Sequence, residues 1–85
     1  PVVSASYEIE EKISVYPNPT TGDIFIKGFD STKGNIVLRD CLGGMVKQWE
    51  GVNEPINIAD LPQGVYFLTL KSMETSTVVP LVKVE

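Results

Sequence analysis

Six clusters of turn residues divide this 85-residue chain, and none of the segments between them is long enough for an ordinary helix. The breaks fall at Pro17–Gly22, Asp30–Asn35, Leu42–Gly44, Gly51–Pro55, Leu61–Gly64 and Ser72–Ser76. Turn signals every 8 to 12 residues or so are the rhythm of an antiparallel sandwich or barrel. The residues between the breaks agree. Val, Ile and Thr supply 24 of the 85 positions, whereas Ala occurs twice. β-Branched side chains lose rotamer freedom in a helix and fit a pleated surface.

Seven strands are predicted: Lys12–Tyr16, Asp23–Gly28, Ile36–Asp40, Met45–Glu50, Ile56–Ala59, Val65–Lys71 and Thr77–Val84. In the second, Ile24 and Ile26 face one way and Phe25 and Lys27 the other. In the third, Ile36 and Leu38 oppose Val37 and Arg39. One face therefore goes to a core and the other toward water. Met45–Glu50 is too short for a stable helix and follows the Gly43-Gly44 hairpin signal, so it is read as a strand. Pro80 cannot donate to a ladder, which places the last strand at an edge or a bulge, where it is open to pairing with something else. The fold class expected is all-β: a small immunoglobulin-like antiparallel sandwich of about seven strands. Pro1–Glu11 reads as linker, and the absence of an initial Met or a signal-peptide pattern marks the chain as part of a longer protein.

Composition narrows the chemistry. With no His there is no imidazole base and no His metal ligand, and the single Cys41 cannot close an intrachain disulfide or hold a cysteine metal site. No catalytic residue, metal ligand or cofactor is assigned. Asp23, Asp30, Asp40 and Asp60 are the carboxylates that an acid–base pair would need, but each lies by a turn or strand end, where Asp commonly bonds local backbone. A net charge of −4 with seven scattered cations argues against nucleic acid, and no apolar run approaches the roughly 20 residues of a membrane-spanning helix.

Two turns carry most of the information. In Tyr16-Pro17-Asn18-Pro19-Thr20-Thr21-Gly22, each proline fixes its own φ and holds the residue before it extended. The result is a stiff corner; Thr20-Thr21-Gly22 then lets the chain reverse, with Gly22 able to take a positive φ before the second strand. In Asp60-Leu61-Pro62-Gln63-Gly64-Val65-Tyr66, Pro62 and Gly64 suit a type I turn and Leu61 anchors it. Tyr66 is placed to form a tyrosine corner, its hydroxyl bonded back to upstream backbone.

These motifs together resemble the type A C-terminal sorting domain of the Por, or type IX, secretion system of Bacteroidetes. The family's Pro-x-Pro-x-x-Gly is complete as Pro17, Pro19 and Gly22, and its Gly-x-Tyr as Gly64, Val65 and Tyr66. Between them lie Ile36, Leu38, Asp40, Gly43 and Val46, then Ile56, Ile58, Leu61 and Pro62, as in the family. The last strand departs from the pattern: Lys83 is its only cation and Pro80 interrupts it. The resemblance implies a sorting signal rather than an enzyme, with residues 1–11 as linker from a preceding cargo domain and residues 12–85 as the sorting domain. It further implies passage through the periplasm, recognition by outer-membrane type IX machinery, removal by a surface sortase, and a secreted or surface-displayed cargo. Pro17, Asn18, Pro19, Gly22, Gly64, Tyr66 and Lys83 are the expected recognition residues. The alternative is a carbohydrate-binding or structural sandwich module of an extracellular protein, in which Trp49, Tyr16 and Tyr7 would be the sugar-facing aromatics.

Overall fold

In the computed structural model, which describes residues 13–73 and 75–85, the chain forms seven strands. They are β1 (Ser14–Tyr16), β2 (Asp23–Lys27), β3 (Asn35–Asp40), β4 (Met45–Glu50), β5 (Ile56–Asn57), β6 (Gly64–Lys71) and β7 (Ser76–Lys83). All strand pairs are antiparallel. They build a three-stranded sheet of order β1-β2-β5 and a four-stranded sheet of order β4-β3-β6-β7. This is a small β-sandwich, with the first, second and fifth strands facing the others as in immunoglobulin-like folds. The linker expected at Pro1–Glu11, and Lys12 at the predicted start of the first strand, lie outside the described residues.

The two-residue alternation of side chains decides what is buried. Val15, Ile24, Ile26 and Ile56 from one sheet meet Ile36, Leu38, Tyr66, Leu68, Leu70 and Leu81 from the other, and Ile58 closes the same core. The predicted facing of β2 and β3 is thus observed. Leu38 pairs with Leu68 at the middle of the four-stranded sheet, and Trp49, opposite Ile36, packs half-buried against the core.

The β3–β4 hairpin is organised by Asp40. Its Oδ1 accepts from Leu42 N at 3.0 Å and Gly44 N at 2.9 Å, while Gly43 sits at φ 91°. Strand β5 is shorter than the predicted Ile56–Ala59. Asn57 Oδ1 accepts from Ala59 N at 3.0 Å, and Ile58 N turns away to Gly22 O at 2.9 Å. Ile26 N, beyond the paired part of β5, is satisfied instead by Glu54 Oε1 at 2.9 Å, while Glu54 Oε2 accepts from the buried Ser31 hydroxyl at 2.8 Å.

Candidate recognition surface

The first motif turn is built from the inside out. Tyr16 enters it stacked on Phe25, its cross-strand partner, with ring centroids 5.7 Å apart. The Tyr16–Pro17 and Asn18–Pro19 peptide bonds are both cis. Thr20 is the hub, although its sequence position carried no more than the general signal of a hydroxyl in a turn. It is only 1% exposed; its Oγ1 accepts from Gly22 N at 3.1 Å and donates to Asp23 O at 2.8 Å. Replacing Thr20 by Val keeps the shape but leaves the buried Gly22 N–H without that acceptor. A loss of about 1 to 3 kcal/mol is expected, read as a lower urea midpoint at unchanged slope.

Gly22 corrects a sequence expectation. Its φ is not positive; the positive-φ glycines are Gly28, Gly43, Gly51 and Gly64. Close packing excludes a side chain instead, because a Cβ on Gly22 would stand 2.9 Å from Ala59 Cβ and 3.3 Å from Ala59 Cα.

Past the prolines the chain lies against the outer edge of β7. Thr20 pairs in parallel with Lys83: Thr20 N donates to Val82 O at 2.8 Å and Val84 N donates to Thr20 O at 2.8 Å. The Asn18 side chain makes the preceding pair, with Nδ2 donating to Pro80 O at 2.9 Å and Oδ1 accepting from Val82 N at 3.0 Å. The last strand is therefore an edge strand, as Pro80 predicts, and it carries no bulge against β6. Its C-terminal half, however, is not open for pairing. Pro80 is tolerated because residues 80, 82 and 84 turn their backbone groups away from β6, so its missing N–H removes nothing from that ladder.

The second motif turn forms the expected tyrosine corner, with the Tyr66 hydroxyl donating to Pro62 O at 2.6 Å. Gly64, at φ 156°, stands opposite Lys83, with nothing within 4 Å of where a Cβ would be. Lys83 points inward with Leu81; it is 6% exposed and donates to Val84 O at 3.1 Å. The Lys47 ammonium lies 3.1 Å from Asp60 and holds that carboxyl below the usual carboxylate range, with a weaker contribution from the Lys83 charge.

Pro17, Asn18, Pro19, Gly22, Gly64 and Lys83 thus gather at one end of the sandwich around the close of β7, and Tyr66 braces the second turn from within. The other candidates do not converge. Asp23 accepts from Asn57 Nδ2 at 2.6 Å, Asp30 from Thr32 N at 3.0 Å, and Asp40 serves its own hairpin. Thr32 holds the Asp30 carboxyl below its ordinary range. Tyr16 and Trp49 stand on different sheets, and Tyr7 lies outside the described residues. Cys41 is exposed. Among the described residues no cluster of three His, Cys, Asp or Glu is arranged to hold a metal ion, and no helix is long and apolar enough to cross a membrane.

The distinctive groups of this sandwich are two motif turns and a strand end that meet at one end of the fold. The chain belongs to the family of secretion system C-terminal sorting domains, those of type IX secretion, whose family model matches residues 14–84. That family is not a catalytic one, and membership implies an attached cargo, type IX machinery as partner, and export across the outer membrane to the cell surface or beyond. No curated protein matches the chain.

Proposed function

We propose that export machinery reads the end of the sandwich where the corner, the Leu61–Tyr66 turn and the close of β7 come together. A surface sortase then frees the cargo by cutting within or before residues 1–11. The observation that carries this reading is the convergence of two motifs far apart in sequence on one strand: Thr20 bonds Val82 and Val84, while Gly64 faces Lys83 across the ladder. A pre-ordered surface of this kind loses little conformational entropy when bound. Lys83 enters the reading as a buried residue that joins the strand end to the turn, not as a cation displayed to solvent.

A fusion of these residues behind a periplasm-directed fluorescent protein, expressed in a bacterium with a type IX system, tests it. Surface display or release of the fluorescence is expected, together with a shortened reporter lacking the domain. Gly64→Ala combined with Tyr66→Phe should abolish export while circular dichroism still reports a folded domain. Periplasmic retention of the unaltered fusion, under conditions where an established sorting domain exports the same reporter, would refute the proposal. Export of an uncut fusion would remove the sortase step alone.

A further inference from the structure

We propose that the outward edge of β7 is a strand-addition site for an extended segment of a partner protein, which the Asn18–Thr20 corner occupies as a built-in mimic. The occupant's chemistry is displayed by the chain itself. Pro80 O, Val82 N–H, Val82 O and Val84 N–H form the alternating row that an added strand would engage, and all four are taken. Thr20 fills two of them with its own backbone, in parallel orientation. The Asn18 carboxamide fills the other two, one donor and one acceptor, as a stand-in for the backbone of a strand residue.

The cap is short. By the alternation along β7, Val78 also turns its N–H and C=O outward, and among the described residues neither has a partner. An incoming strand can therefore start beside Val78 and displace the corner toward Val84. Its side chains would lie along an outer face that is already apolar. Val78 is 58% exposed there, and Val65, Phe67 and Val82 are exposed beside it. Both Asn18 hydrogen bonds are solvent-exposed, and exchanging one set of edge bonds for an equivalent set is close to neutral. The high effective concentration of the tethered corner is what keeps the edge closed. Such a cap also blocks edge-to-edge association of the free domain.

The test is made on the purified domain, so its failure is separate from any failure of export. In the native protein, the amides of Val82 and Val84 should exchange with solvent through a local opening that low denaturant does not accelerate. The Leu68 amide, in the middle of the sheet, should exchange only with global unfolding. A fluorescein-labelled peptide of residues 14–22 supplies the corner in trans. Asn18→Ala removes two of the four capping bonds and should bind this peptide about tenfold more tightly than the native domain. Asn18→Asp keeps the acceptor for Val82 N–H and should fall between the two, which preserves the comparison if the alanine variant does not fold. Equal peptide binding by native and folded variants overturns the proposal, as does exchange of Val82 and Val84 only with global unfolding. A dimer of Asn18→Ala that excess peptide fails to dissociate overturns the partner strand and makes a second copy the occupant.

Discussion

Replacing Gly22 by valine is expected to cost about 2 to 3 kcal/mol and to lift the corner from β7, the effect of forcing atoms into a packed site. The first added carbon already stands 2.9 Å from Ala59 Cβ and 3.3 Å from Ala59 Cα. No flexible side chain is there to yield; the obstacle is the short side chain and backbone of the segment that follows β5. That segment is itself held, because Ile58 N bonds Gly22 O at 2.9 Å and the Ile58 side chain is fully buried. The strain therefore falls on the Gly22–Ile58 bond and, through Thr20, on the parallel pairing with Lys83. Urea unfolding of Gly22→Val, with and without Ala59→Gly, measures it. The second substitution removes the closest contact, so the double variant should recover part of the loss as a coupling between neighbours. A loss below about 0.5 kcal/mol, the range of ordinary surface changes, would mean that the corner is not wedged against Ala59.

Leu68→Ala should be the more destructive change. Leu68 is fully buried at the centre of the four-stranded sheet, paired with Leu38 on one side and Val79 on the other. Truncating such a residue costs about 2 to 5 kcal/mol. A domain of this length has about 4 to 13 kcal/mol in total, so Tm should fall by roughly 10 to 30 °C. The consequence for sorting differs from that of a corner variant. Leu68→Ala should abolish export in proportion to the fraction unfolded, with recovery at lower temperature, whereas a folded domain with an altered recognition surface should fail at every temperature. A thermal melt set beside the export assay at two growth temperatures separates them. Full export from a mostly unfolded Leu68→Ala domain would show that the machinery reads a linear segment, not the assembled end of the sandwich.

Much of the fold was legible because the relevant forces are local. Ile24, Ile26, Ile36 and Leu38 alternate with polar or less buried neighbours, and strand geometry turns that alternation directly into an inner and an outer face. Met45–Glu50 was bounded by a glycine hairpin on one side and Gly51 on the other, and its observed limits coincide with those predicted. Strand β5 was overextended because Ile56 and Ile58 are both buried, and a period of two does not reveal that the backbone between them stops pairing. Its end depends on an Asn57 side chain and on a carbonyl of Gly22, more than thirty residues away in sequence.

The candidate site divides in the same way. Rigidity at Pro17 and Pro19, the reversal before Tyr66 and the tyrosine corner all follow from residues within a few positions of one another, so composition and spacing alone determine them. Likewise, Pro80 by itself narrows β7 to an edge or a bulge, since a proline has no N–H to give to a second neighbour, and the sheet order and unbroken register with β6 make it an edge. What covers that edge is a tertiary matter. Asn18 and Thr20 reach β7 only after the two sheets have packed, and their bonds to Pro80, Val82 and Val84 span more than sixty residues. The need for glycine at position 22 is tertiary too, because it is set by Ala59 and not by φ. So is the burial of Lys83, which lies inward beside Leu81 where the two sheets meet. Local sequence determines which way a chain bends and which residues share a face; which atoms fill the remaining hydrogen bonds and gaps depends on the meeting of segments that no local pattern connects.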